Sequence, residues 1–253
     1  MRGKELRHNG TFVKELGPEI VLKEAILIQG LPGMGFVGHL SARFLIDEFE
    51  AVEFARIYSS YFPSIVILRN GEGKLVRIEL FAVEKVEPNL IIMTGDVQPS
   101  ETGMIQVLDF VLDYCASKGV KNVIAVGGLR AENGPEVAGF AFSKEDLEFL
   151  KEYDVGTLEN GQVTGAVGVI TALGAEKGLK SFGLLGKLHV SGPDPIAARN
   201  VLNILRQIYN LPIDLNRMEE KIEKALERER ITKEFIERVK ETQEEKDKPS
   251  YFI

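Results

Sequence analysis

Hydrophobic positions along the chain fall into short β-branched runs separated by segments of helical spacing. The first run, Ala25 to Ile28, precedes a glycine cluster and predicts a buried strand feeding a tight turn. Leu40, Phe44, Leu45 and Phe49 then recur at helical spacing and predict a helix. Phe54 to Tyr58, Ser64 to Leu68 and Lys74 to Val83 read as strands, and Asn70-Gly71-Glu72-Gly73 is a hairpin signal between the last two, so this part of the sheet is expected to be antiparallel. Leu90 to Met93 is a further strand ending at Thr94-Gly95-Asp96. Ser100 is then the expected cap of a helix running through about Ser117, with Gly119 at its far end. Val123 to Val126 repeats the pattern of a strand ending in glycines, Gly127 and Gly128. Phe142 to Tyr153 predicts a helix capped by Ser143, with Glu145 and Asp146 suited to its first turn. Phe182 to Leu185 predicts a strand, and Pro195 to Tyr209 a helix. This alternation predicts an α/β protein, a three-layer α/β/α sandwich.

The character changes after Leu211-Pro212. Residues 214–246 hold no glycine or proline and are dominated by Glu, Lys and Arg, which predicts one long helix. Leu215, Met218, Ile222, Leu226, Phe235 and Val239 fall roughly on one side of it, but Glu229 and Arg230 interrupt the stripe, so a regular coiled coil is not expected. The chain therefore reads as an α/β core over residues 1–212 and a charged helix with a hydrophobic tail over 213–253.

Composition narrows the function classes. With 44% hydrophobic and 27% charged residues the body is expected to fold and bury a core. A net charge of -7 with both signs interspersed gives no general attraction to nucleic acid or to an anionic membrane, and neither is expected as a partner. The N-terminus MRGKELRHNG lacks the apolar stretch of a signal peptide, and no run approaches the roughly 20 apolar residues of a membrane span, so a cytoplasmic location is expected. The single cysteine, Cys115, lies within an apolar helical pattern and is expected to be buried as a small hydrophobe.

Gly33-Met34-Gly35-Phe36-Val37-Gly38 matches the dinucleotide fingerprint G-x-G-x-x-G, follows a strand and opens a helix. Two features depart from that fingerprint. Gly30-Leu31-Pro32 intervenes between strand and first glycine, and Pro32 removes an amide hydrogen. The acid that would hold a ribose belongs at the end of the second strand, about 20 residues on, whereas Glu53 falls at the start of Phe54 to Tyr58. No G-x-x-x-x-G-K-[ST] exists, which excludes a P-loop. A glycine turn for close helix and sheet packing is the stronger reading, and no cofactor is expected.

Bases for catalysis are few. His8 lies in a polar N-terminal stretch, His39 begins the first predicted helix, where packing at the core edge is the stronger reading and contact with Asp96 or a partner chain the other, and His189 follows a strand and precedes a helix. The spacing fits no metal motif, so no metal is expected. Gly33, Gly35, Gly38, Asp96 and His189 form a candidate cleft at strand ends, with Glu101, Arg130 and Glu132 as further polar candidates.

Gly30-Leu31-Pro32-Gly33-Met34-Gly35-Phe36-Val37-Gly38, Thr94-Gly95-Asp96-Val97-Gln98-Pro99, Gly127-Gly128 and Gly165-Ala166-Val167-Gly168-Val169 together resemble the proteasome-assembly-chaperone family found in archaea, over roughly residues 20 to 210. The resemblance implies an α/β/α sandwich like that of nucleoside phosphorylases and no enzymatic activity. It also implies homo-oligomers, which could be rings, and contact with proteasome α-type subunits. The last residues point the same way, because Tyr251-Phe252-Ile253 resembles the hydrophobic, tyrosine, any-residue tail with which proteasome activators dock. Phe252 stands where that tail has tyrosine and lacks its hydroxyl, so a pocket that hydrogen-bonds the phenol would hold it more weakly, leaving room for another protein partner. The competing expectation is a small-molecule enzyme, hydrolytic or nucleoside-directed, acting at the glycine loop and His189.

Overall fold

The segment Ala25–Gln29 is buried along its whole length, and its alternate side chains enter two different cores. Ala25 and Leu27 join one cluster with Ile91, Met93, Val123 and Ala125, while Ile26 and Ile28 face the opposite side of the sheet. A strand buried on both faces requires helices above and below it, and this fixes the layered architecture.

The computed structural model describes residues 5–219 and residue 222. Its elements are β1 (Glu5–His8), β2 (Thr11–Glu15), β3 (Ala25–Gln29), α1 (Val37–Glu48), β4 (Val52–Ser59), β5 (Val66–Arg69), β6 (Glu72–Leu75), β7 (Ile78–Val83), β8 (Leu90–Gly95), α2 (Met104–Ser117), β9 (Val120–Leu129), β10 (Val137–Ala141), α3 (Lys144–Lys151), β11 (Gly156–Thr157), α4 (Gly165–Glu176), β12 (Lys180–Lys187) and α5 (Pro195–Tyr209). The chain divides after Asp214, and the first unit holds all of these elements.

Ten strands form one sheet in the order β1-β2-β4-β7-β8-β3-β9-β12-β10-β11. The central β8, β3, β9 and β12 are parallel. On one side β7, β4, β2 and β1 continue antiparallel, and on the other β10 runs antiparallel to β12. Helices α2 and α4 pack together on one face, and α1 and α5 on the other. Phe149 of α3 meets Phe182, with ring centroids 6.5 Å apart. Phe182 shares a sheet face with Gly186, which packs on Ala197 of α5, so α3 joins the α1 and α5 layer. The α/β/α sandwich expected from the sequence is the observed fold.

Local chemistry explains several element ends. Ser143 accepts a hydrogen bond from the Asp146 amide and caps α3 as expected. Asn70 and Gly71, with φ of 51° and 83°, make the expected hairpin turn between β5 and β6. Cys115 is wholly buried, and burial pushes its thiol pKa well up, leaving an inert core residue.

Two local expectations need correction, and two elements went unexpected. Lys74 to Val83 is not one strand: it breaks after Leu75, so β5 and β6 form a separate two-stranded sheet while β7 joins the main one. Ser100 makes no side-chain cap; Glu101–Gly103 forms a 3-10 turn and α2 starts at Met104. The hairpin β1–β2 escapes a hydrophobic-run reading because its strands alternate with polar residues, although Asn9 and Gly10, with φ of 43° and 76°, form its turn. Helix α4 carries three glycines and reads poorly as a helix by propensity. Tertiary contact supplies the reason for two of them: a Cβ on Gly168 would lie 2.3 Å from the Val163 carbonyl oxygen, and one on Gly174 would lie 2.9 Å from Ser181 Oγ. The long helix expected over residues 214–246 is described only at residues 216–219 and 222, which are helical, and the tail residues Tyr251, Phe252 and Ile253 lie outside the described residues.

The layered burial predicts a sharp contrast between two truncations measured by urea unfolding. Leu27→Ala, at a wholly buried position, should cost about 2–5 kcal/mol. Val21→Ala, at a position 72% exposed, should stay within about 0.5 kcal/mol of the parent.

Candidate functional site at the carboxyl end of the sheet

The four parallel strands end together at Gln29, Gly95, Leu129 and Lys187, and the glycine loop crosses this end. After β3 the Gly30 amide donates to the Met93 carbonyl (2.8 Å). A 3-10 turn, Met34–Phe36, then leads into α1, with Gly35 and Phe36 in the left-handed region at φ of 59° and 51°. Gly38 lies against β9, where a Cβ would sit 2.3 Å from the Val126 carbonyl oxygen. A Cβ on Gly30 would be 2.2 Å from the Gly38 carbonyl oxygen, and one on Gly35 would strike Leu188 at 2.3 Å. Gly33 is extended and faces Gln98. These glycines let helix, strand and turn approach closely.

Gln98 locks the arrangement. Its Nε2 donates to the Pro32 carbonyl (2.6 Å), and its Oε1 accepts from the Ala166 amide at the start of α4 (2.9 Å). On the other side the Asp194 amide donates to the Gly35 carbonyl (2.8 Å). Glu53 takes no part: both its carboxylate oxygens bind Arg56 at 2.7 Å, on a strand that β7 and β8 separate from β3.

Beside this loop lies a cleft of about 530 Å³ lined by His39, Arg43, Lys74, Arg77 and Glu79. Thr94 Oγ1 donates its only hydrogen to the Gly30 carbonyl (2.9 Å), so its contact with His39 Nδ1 (3.1 Å) requires the proton to be on Nδ1. Nε2 then carries the lone pair in the neutral ring. Burial, reinforced by the charge of Arg43, lowers the His39 pKa below 6.5 despite the opposing Asp96 and Glu79 carboxylates. His39 is therefore neutral at pH 7.

Glu79 is 5% exposed. Burial alone would raise its pKa, but the hydrogen bond from Arg43 Nη2 (2.6 Å) and the charges of Arg43, Arg77 and Lys74 hold it below the usual carboxylate range. Asp96 Oδ1 pairs with Lys74 Nζ at 2.9 Å, and its Oδ2 is buried without a hydrogen-bond partner.

His189 occupies a different place. Its Nε2 is 2.7 Å from Glu136 Oε2, and Glu136 also binds Lys187 Nζ at 2.8 Å and Asn200 Nδ2 at 3.1 Å. Two strands separate β12, which leads to His189, from β8, which leads to Asp96. Three strand spacings amount to roughly 14 Å. The structure thus groups Asp96 with Lys74 near the cleft and leaves His189 on a surface contact with Glu136. Glu101, Arg130 and Glu132 are exposed. Arg43 is the cleft residue with the plainest sequence signal, one turn after His39 on α1; Glu79 comes from β7, Lys74 from the separate β5–β6 hairpin and Arg77 from the link between them, so only tertiary structure brings them there. Among the described residues no group of three or more His, Cys, Asp or Glu side chains could hold a metal ion.

A mixed sheet between helical layers, crossed at its carboxyl end by a packed glycine loop, defines this class of α/β protein. The model of the PAC2 family matches residues 27–233, and the chain belongs to that family. The chain is similar to PbaB of Pyrococcus furiosus, an archaeal proteasome activator, with 29% identity, a TM-score of 0.79, and coverage of 88% of this chain and 99% of that one. PbaA of the same organism, an archaeal homolog of proteasome-assembly chaperone, matches with 26% identity and a TM-score of 0.75 over 95% of this chain and 99% of that one. The uncharacterized protein MJ1210 of Methanocaldococcus jannaschii is 28% identical over 238 residues, 92% of this chain and 88% of the relative.

The packing at Gly38 is testable. Gly38→Ala should lower stability by about 1–3 kcal/mol in denaturant titration, because the added methyl meets a strand carbonyl that cannot move without distorting β9.

Proposed function

We propose that this chain is a non-enzymatic, homo-oligomeric protein of the proteasome-assembly-chaperone kind, which docks proteasome α-type subunits or another protein partner through Tyr251, Phe252 and Ile253. The observation that carries this reading is the likeness to PbaB and PbaA over nearly the whole chain. Membership of the PAC2 family supports the chaperone-like role and proteasome-related protein partners.

Two features of the fold favour a binding protein. The glycine loop is occupied by protein packing at Gly30, Gly35 and Gly38. The hairpin β5–β6 turns Ile67 toward the core but presents Val66, Leu68 and Leu75 on its outer side, 57%, 70% and 63% exposed. An isolated two-stranded hairpin is marginal in water, and an exposed apolar face of this kind suits protein association. In this reading a second copy of the chain covers it. The rival small-molecule enzyme at the glycine loop and His189 has less support, since Asp96 and His189 end on strands roughly 14 Å apart.

Light scattering should find a homo-oligomer that forms a larger complex with proteasome α subunits. Deletion of residues 250–253 should abolish that complex while His189→Ala leaves it intact; survival of the complex after the deletion would remove the tail from the reading. Leu68→Asp should shift the protein toward monomer, and an unchanged mass would assign self-association to another surface.

A further inference from the structure

The cleft beside the glycine loop has an unusual charge balance for a chain with a net charge of -7. Arg43, Lys74 and Arg77 line it with the single acid Glu79, and Asp96 stands behind Lys74. With His39 neutral, three fixed cations face two carboxylates. Those carboxylates are nearly buried, with side chains 7% and 6% exposed, and engage only part of the donor supply. Arg43 commits Nη2 to Glu79, so Nε and Nη1 remain, and its side chain is 36% exposed. Lys74 directs one of its three N–H bonds to Asp96 Oδ1. Arg77 directs Nε and Nη2 at Glu79 Oε1 and retains Nη1.

These donors come from α1, β6 and the link between β6 and β7, around a space whose volume falls within the ordinary range for small-molecule sites, about 300–1,000 Å³. Guanidinium groups that keep free N–H donors suit the oxygens of phosphate or sulfate. The two carboxylates hold the cations in place and leave the surplus charge directed at the opening.

We propose that this cleft binds a small tetrahedral oxyanion, as free phosphate or as the phosphate head of a small metabolite, between Arg43, Lys74 and Arg77 with His39 on its wall. The inference is independent of the docking reading, since it concerns the α/β core and requires neither a partner nor the tail.

His39 makes occupancy sensitive to pH. The charged groups acting on its ring are Arg43 on its own helix and Asp96 and Glu79 from the sheet, with Lys74 and Arg77 on the same cleft wall. Its lowered pKa means that it takes up a proton only below pH 6.5, which adds a positive charge to the cleft. A bound dianion stabilises that protonated form, so anion affinity rises as pH falls through this window. Sulfate is the suitable probe, because it does not titrate there.

Isothermal titration of the full chain with sulfate, inorganic phosphate and glycerol 3-phosphate tests the site, with acetate as the carboxylate control. The expected result is saturable binding of the tetrahedral anions, about tenfold weaker in Arg43→Gln or Lys74→Gln, the loss of one charge-assisted contact. Sulfate should bind more tightly as the pH is lowered from neutrality, and His39→Gln should remove that dependence. Tighter binding of the ester than of free phosphate would assign the cleft to a metabolite head group, and the reverse to the free anion; both support the site. Absence of saturable binding by the parent, or parent-like binding by both charge variants, overturns it. Circular dichroism of each variant separates lost binding from lost folding, and Arg43→Lys, which keeps the charge beside Glu79, should retain more affinity than Arg43→Gln.

Discussion

The structure depends on how closely α1 lies on β3 and β9. At Gly38 helix backbone meets strand backbone, and any side chain there would enter the space of the Val126 carbonyl. That contact brings the start of α1 down beside the ends of the parallel strands, so that Phe36, His39 and Arg43 stand over Thr94, Glu79 and Asp96. The loop's second anchor, Gln98, ties it to the opposite helical layer at Ala166. A motif that could cradle a pyrophosphate is here used to join two layers through one sheet edge.

Electrostatics at this end follow from burial. Glu79 and Asp96 are nearly out of solvent, and unpaired carboxylates there would carry a large desolvation cost. Arg43, Arg77 and Lys74 offset it. At the same carboxyl end, after β12, Asp194, wholly buried, accepts from the His189, Val190 and Ala197 amides, which caps α5 and shapes the loop bearing His189. The same residue type has unlike duties a few strands apart: Asp96 holds a lysine, whereas Asp194 holds backbone.

This chain separates a buried framework from exposed apolar side chains. The framework is the doubly covered parallel centre; several of the exposed apolar side chains lie on the β5–β6 hairpin and the Met34–Phe36 turn, where Met34 and Phe36 are 53% and 44% exposed. Loops and hairpins fixed to a rigid sheet can vary without cost to the core.

The sequence by itself determined the elements that one hydrophobic period describes. Ala25 to Ile28, Leu90 to Met93 and Val123 to Val126 are apolar on both faces, so they read as central strands without any partner in view. Pro195 to Tyr209 and the Ser143 cap were equally legible, because caps and periodicity act over three or four residues. Only tertiary structure decided the rest. The glycines of α4 gain their meaning from Val163 and Ser181; the break after Leu75 follows from which sheet each half of the segment joins; and the cleft assembles His39 and Arg43 with Lys74, Arg77 and Glu79 from across the sheet. Pairing between strands distant in sequence is set by register and by the competition to bury both faces of β3, and no local pattern encodes that outcome. The grouping of Asp96 and His189 was plausible from strand ends alone, but strand order, which the sequence does not display, placed two strands between them.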